Sequence, residues 1–466
     1  MRAILSSVSV LKRLSIVRRN NSQRTSFPLW SVLSYLLVPY ALFSLIWKGI
    51  QYRPYFHRWR ERFGFLTSRF GGKVVWVHAV SVGEVRSAAA LIRGLMERYP
   101  EHSVLVTTMT PTGGEQVRQL FGGLVDHCYL PYDLPDVVAR FLNRVQPSLA
   151  VIAETEFWPN LFAACNQRHI PLLLVNVRVS ASSLTGYLRI PKTSREMFRR
   201  ADLICTQTRT DAQRLRNLGV DESRLHVTGN LKFDVAVPEV LLQESIRLRS
   251  QWGEGRFIWI AGSTHANEES KILDAFVELK KRWSNLLLVL VPRDPERFSK
   301  VTRLVKRYGL RVERRSSHSG SLPCETEVLV GDTMGELQLF YAAADLAFVG
   351  ASLVMRGGHN ILEPGAVGVP VIFGPHMFNF EDVAALALDA GAGLQVYDSI
   401  ELSEAADSFI RNPQLRVAAG RAAQRMIADN QGSLEITLDL IERAVTDRSQ
   451  AGILRDVSVS TSPQIH

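Results

Sequence analysis

A chain of 466 residues is longer than one hydrophobic core usually serves, so two domains with terminal extensions are expected. Hydrophobic residues at 46% and charged residues at 21% exclude a largely disordered chain and a multi-span membrane protein. The net charge of +10 suits nucleic acid, anionic lipid or an acidic substrate, but no RNA-binding or helix-turn-helix signature accompanies it, so nucleic acid is not an expected partner.

Residues 1–24 read as a basic, Ser-rich arm, a composition shared with mitochondrial targeting peptides. Residues 25–50 form the expected membrane anchor. From Thr25 to Trp47 the chain carries no charge, and from Phe27 the run FPLWSVLSYLLVPYALFSLIW approaches the roughly 20 residues that cross a hydrocarbon core. Pro28 and Pro39 would break or kink a simple helix, so a monotopic hairpin or in-plane helix stands beside a span. Arg13, Arg18, Arg19 and Arg24 precede the run, and Lys48, Arg53, Arg58, Arg60 and Arg62 follow it, which suits anionic headgroups.

Beyond Arg62, short apolar runs alternate with amphipathic stretches, the pattern of βα units and parallel sheets. The expected fold class is α/β, with two doubly wound Rossmann-like domains facing a cleft. The first domain is read as residues 51–236, with strands at 74–80, 104–109, 128–132, 149–153, 172–177, 203–206 and 226–228. The second is read as 237–447, with strands at 257–261, 286–291, 328–330, 346–349, 369–373 and 394–396, followed by a tail over 448–466. The linker is placed near Pro238. Cys128, Cys165, Cys205 and Cys324 are scattered without metal-ligand or disulfide spacing, and they read as buried, inert thiols of a reducing compartment.

The candidate chemistry falls just after predicted strands, where doubly wound sheets bind ligands. In VHAVSVGEV, Glu84 opens a helix. It either favours the helix dipole or takes a proton from an acceptor hydroxyl. In AETEFWPN, Glu154 and Glu156 follow a strand and would share one side if that strand continued. Lys232 in VTGNLKFD is a point charge suited to a phosphate or sugar carboxylate, or a surface lysine pairing Asp234. Arg293 in LVPRDPERF sits in a Pro-flanked turn, where it either recognises phosphate or carboxylate or joins the capping and pairing of Asp294 with Arg297. In GASLVMRGGHNILEPGAVGVP, Gly357 and Gly358 allow close backbone approach. A short helix from about Asn360 would offer amides to an anion, with Glu363 reaching ribose hydroxyls. His265, His359 and His376 are isolated in sequence, and no ligand spacing for a metal occurs, so a metal-independent enzyme is expected.

Taken in order, VHAVSVGE, TTMTPTG, LPYDLPD, ETEFWPN, VTGNLKFD, GSTH, PRDPERF, GDTMGEL and GGHNILEP resemble the Kdo transferases of lipid A biosynthesis, from about Tyr35 to about Ala444. The resemblance implies an inverting glycosyltransferase of the GT-B architecture. It would carry 3-deoxy-D-manno-octulosonate from CMP-Kdo to lipid IVA, the tetra-acylated lipid A precursor, at the cytoplasmic side of the cell inner membrane, with no cofactor beyond the donor substrate. It also implies Glu84 as the base, with Glu154 and Lys232 stabilising the transition state. CMP contacts would come from Pro292 and Arg293, from Met334, Gly335 and Glu336, and from Asn360, Ile361, Leu362 and Glu363. Three positions depart from the family pattern: Asn267 where Gly is common after GSTH, Asp294 where His is common, and Ser182 where an Arg is usual. The rival readings are a UDP-sugar transferase acting on another lipid, a nucleotide-sugar epimerase on the same two domains, and a membrane-attached nucleotide-binding scaffold.

Overall fold

The computed structural model describes residues 27–67, 70–318 and 320–460; the basic arm over 1–24 lies outside them. Pro28 opens the helix α1 (Pro28–Leu36) at a position where its missing N–H costs nothing. A second helix, α2 (Val38–Gln51), begins almost at once with Pro39 in its first turn, and the two axes differ by 42°. The proline removes a donor and crowds the preceding turn, so one apolar run becomes two short helices. No single helix among the described residues is long and apolar enough to cross a membrane, although the bent pair reaches that length together. The pair is not a core element. Leu29, Leu36, Phe43 and Ile50 are each at least 64% exposed, while Phe27 and Leu45 are buried.

The chain then divides into two compact units. One is built from the chain up to Leu231 together with everything from Gly432 onward, and the other is Lys232–Gln431. The boundary expected at 236/237 therefore falls a few residues earlier. The second unit also ends before 447, because the last helix returns to the first unit.

In the first unit seven parallel strands, β1 (Lys73–His78), β2 (His102–Thr108), β3 (Asp126–Tyr129), β4 (Pro147–Ala153), β5 (Leu172–Val177), β6 (Leu203–Thr206) and β7 (Leu225–Val227), lie in the order β3-β2-β1-β4-β5-β6-β7. Their apolar runs are buried on both faces, as parallel sheets require. Three helices matter below: α3 (Val82–Ser87), α4 (Ala89–Arg98) and α5 (Pro159–Gln167). The helical run breaks between α3 and α4 at Ala88.

The second unit repeats the plan with β8 (Phe257–Thr264), β9 (Leu286–Pro292), β10 (Val312–Arg314), β11 (Val328–Val330), β12 (Leu346–Val349), β13 (Val371–Phe373) and β14 (Gly393–Gln395), ordered β10-β11-β9-β8-β12-β13-β14 and parallel throughout. Helix α6 (Glu269–Lys280) follows β8. The closing helix α7 (Ser433–Ser460) buries Leu438 and Ile441 in the first unit, where Leu438 packs on Gly94 of α4. Arg98 at the end of α4 pairs with Glu435, Asp439 and Glu442, carboxylates spaced along one face of α7.

Candidate functional site

In each sheet the strand order reverses beside the first strand, between β1 and β4 and between β8 and β12. Crevices at the carboxyl ends of such strands are where open α/β sheets bind ligands. The first reversal brings Glu84, Glu154 and Glu156 together. Ser81 precedes α3, and Glu84, its third residue, folds back so that Oε2 accepts the Val80 N–H at 2.6 Å. Burial, followed by the neighbouring carboxyls of Glu154 and Glu156, pushes Glu84 up to about 9, against this one N–H and the Ser81 hydroxyl. Burial also raises Glu156 to about 7, opposed by the Trp158 indole N–H at 3.0 Å. The group therefore holds protons at neutral pH that isolated carboxyls would have lost.

The strand does not extend through these acids, as the alternation reading required. Strand β4 ends at Ala153, and Glu154 takes a left-handed φ of 60°. That twist turns the chain out of the sheet, while Thr155 holds the next loop through Arg178, whose N–H donates to Thr155 Oγ1 at 3.1 Å. Backbone strain of this kind in a non-glycine residue persists only where its surroundings hold it.

Lys232, expected in the first unit, is the first residue of the second. Its ammonium donates to the Asn379 carbonyl at 3.3 Å and lies 5.1 Å from the Phe380 ring centre.

At the second reversal the loops after β8 and β12 are bound to one carboxylate that sequence reading overlooked. Glu268 is fully buried and accepts the N–H groups of His265, Ala351, Ser352 and Leu353 at 3.2, 2.8, 3.0 and 2.9 Å. Ser263, Asn267 and Ala351 beside it are all left-handed, at φ 56°, 68° and 62°. The Asn267 departure is thereby explained: the position needs a conformation that Gly enters freely and Asn tolerates. His265 Nε2 and His359 Nε2 stand 3.2 Å apart with rings stacked, so the two histidines are neighbours in space though distant in sequence.

The expected nucleotide contacts all lie at or beyond the carboxyl ends of β9, β11 and β12, most of them in loops and Leu362 and Glu363 in a short helix. Pro292 closes β9 and is buried, and the Arg293 N–H donates to the Thr264 carbonyl at 3.0 Å. Arg297 meets Asp294 through its backbone, its N–H donating to the Asp294 carbonyl at 2.9 Å. Its guanidinium meets the buried Glu269 at 2.8 Å, and Asp294 lies 4.0 Å from His265 Nδ1. Met334 is exposed and Gly335 has φ 86°. Glu336 is gripped by Arg315 at 2.8 Å, a residue in an aperiodic segment that gave no sequence signal.

Near Asn360 a short helix does form, starting two residues later than expected. The helix there starts at Leu362 and has 5 residues, and the Leu362 N–H is already taken by Asn360 Oδ1 at 3.1 Å. Asn360 Nδ2 also meets Glu363 Oε1 at 3.3 Å, and Ile361 is buried. The amides upstream serve Glu268. Gly357 and Gly358 answer to internal packing, since a Cβ on either would lie 2.3 Å from Asn379 Nδ2 or 2.2 Å from Met377 Sδ. Ser182 lies in the first turn of the helix after β5, its hydroxyl 2.9 Å from that of Ser180, the cap.

Residues 57–235 match the family described as 3-deoxy-D-manno-octulosonic-acid transferase (kdotransferase). The 3-deoxy-D-manno-octulosonic acid transferase of Haemophilus influenzae is 41% identical over 399 residues, covering 85% of this chain and 92% of that protein. The enzyme of the same name from Bordetella pertussis is 39% identical over 378 residues, covering 79% and 86%. The fold is shared with UDP-GlcNAc 2-epimerase from Neisseria meningitidis, which was solved with UDP-GlcNAc, at a TM-score of 0.51 and 12% identity over 79% of this chain and 99% of that one.

Proposed function

The chain belongs to the 3-deoxy-D-manno-octulosonic acid transferase family, and from that premise we propose how it works: Kdo passes from CMP-Kdo to lipid IVA in one inverting displacement, with Glu84 as general base. Kdo transfer in lipopolysaccharide biosynthesis is the activity its relatives support. The acceptor hydroxyl oxygen bonds to the anomeric carbon, its proton goes to the Glu84 carboxylate, and the departing CMP phosphate oxygen takes the electron pair of the broken bond. Glu154 adds negative charge beside the sugar as its anomeric carbon becomes cationic, and Lys232 offers positive charge to the developing anion.

The observation that carries this reading is the environment of Glu84. It stands at a strand-order reversal, where burial first and the neighbouring carboxyls second raise it to about 9. A carboxylate so raised is a far stronger base than an ordinary one. It is available only once the group sheds its proton. The donor would lie on the second unit, against Pro292, Arg293, Met334, Gly335, Glu336 and Asn360–Glu363, all at strand ends of that sheet. The helix pair α1 and α2, with its exposed apolar side chains and the nearby Lys48, Arg53, Arg58 and Arg60, suits the anionic cytoplasmic face of the inner membrane, where the lipid acceptor would be met.

The test incubates detergent-solubilised protein with CMP-Kdo and tetra-acylated lipid A precursor and weighs the lipid by mass spectrometry. Wild type should add the mass of Kdo, and Glu84→Gln should lose at least a hundredfold in rate. No Kdo adduct from folded, donor-binding wild type would bring the UDP-sugar transferase reading forward.

A further inference from the structure

Helix α1 is not a loose tether. The Trp30 indole N–H donates to Asp133 Oδ2 at 2.8 Å, and the Ser31 hydroxyl donates to Asn160 Oδ1 at 2.7 Å. Asp133 is buried, and its two carboxylate oxygens also receive the N–H groups of Asn160 and Leu161 at 3.1 and 2.8 Å, capping the first turn of α5. Asn160 Nδ2 returns a bond to the Asp133 carbonyl at 2.6 Å. The Trp30 ring also meets Phe157 edge-on at 5.2 Å, and Phe157 stacks on Tyr187 at 5.8 Å. The loop so fixed is Glu154–Trp158, which carries two of the three clustered glutamates, with Trp158 donating to Glu156.

Alternate faces of α1 thus have different duties. Leu29, Val32 and Leu36 point out to solvent, while Trp30 and Ser31 are bonded to Asp133 and Asn160 at the flank of the Glu154–Trp158 loop, which the Trp30 ring touches at Phe157. A helix serving only to hold the protein at a surface needs no buried carboxylate to receive it. We propose that Trp30, Ser31 and Asp133 are positioning residues for the carboxyl cluster, so that the apolar helix pair is a structural part of the acceptor site. This rests on the reading of Glu84 as base.

The test compares wild type with the double variant Trp30→Phe, Ser31→Ala, and separately with Asp133→Asn. Each loosens the staple while leaving the exposed apolar side chains in place. For each protein, kcat and the KM for CMP-Kdo are measured across pH with tetra-acylated lipid precursor, alongside partition onto anionic vesicles. The expected result is a loss of at least tenfold in kcat with the donor KM and vesicle binding unchanged. The rising pH limb should move to lower pH, because a loosened loop carries negative charge away from Glu84 and admits water. A damaged fold would instead reduce the amount of active protein and leave the limb where it was. Unchanged kcat and pH limb in both variants overturn the proposal alone, whereas a wild type that transfers no Kdo overturns the functional reading and this proposal together.

Discussion

The two sheets share one topology, yet the carboxyl groups at their reversal points are treated in opposite ways. Glu84 has one backbone N–H and two acidic neighbours, while Glu268 has four backbone N–H groups. Burial raises both, and only at Glu268 do so many donors oppose it. A carboxylate whose lone pairs are all occupied holds loops together and has nothing left for a substrate proton. One left short of donors among like charges costs stability and gains basicity. The same residue type at equivalent places in the topology is thus a fastener in one unit and a reagent in the other.

The contrast is best broken where it is strongest. Glu268→Ala leaves four N–H groups, three of them buried, without an acceptor, and the melting transition of its unit should fall by the equivalent of about 4 kcal/mol in calorimetry. Glu84→Gln should do the reverse. A carboxyl raised in the folded state favours folding below its ordinary range near pH 4.5, and that contribution is lost as pH rises towards 9. The neutral amide escapes this loss, so urea titrations at pH 8 should show the variant more stable by about 2 kcal/mol, with the gain vanishing near pH 4. The wild-type rate tests the same group in a third way. kcat/KM for Kdo transfer should climb about tenfold per pH unit through neutrality and level off near pH 9, as the base form of Glu84 appears. The smallest effect belongs to Asn267→Gly, which relieves a left-handed residue beside Glu268 and should stabilise by about 0.5 kcal/mol in the same urea titrations.

How legible each part was follows from range. The strands announced themselves through continuous Val, Leu and Ile runs, because burial on both faces leaves no polar alternation to confuse them. Strand β10 escaped notice, since Val312, Glu313 and Arg314 form a half-buried edge with no apolar run. Glu84 and Glu154 were found because each stands just past such a run. Glu268 was missed although it sits three residues beyond the GSTH stretch, since a Glu before a helix looks like an ordinary surface acid until its four donors, three of them more than 80 residues away, come into view. The Trp30 to Asp133 bond spans 103 residues, and no local pattern encodes it. The packing that needs Gly357 and Gly358 was hidden for a related reason: Asn379 and Met377, which a Cβ on either would meet, lie about 20 residues further along the chain.

Helix α7 has a consequence for biosynthesis. Unit Lys232–Gln431 is one continuous stretch set inside the other unit, whose sheet is covered in part by side chains from beyond Gly432. On the ribosome the inserted unit has all its residues before the surrounding one does. The first sheet must wait, with the Gly94 face of α4 bare, until Leu438 and Ile441 emerge. Chains cut short within α7 would then release a finished inner unit and an outer one with an open apolar seam, an invitation to chaperones and proteases.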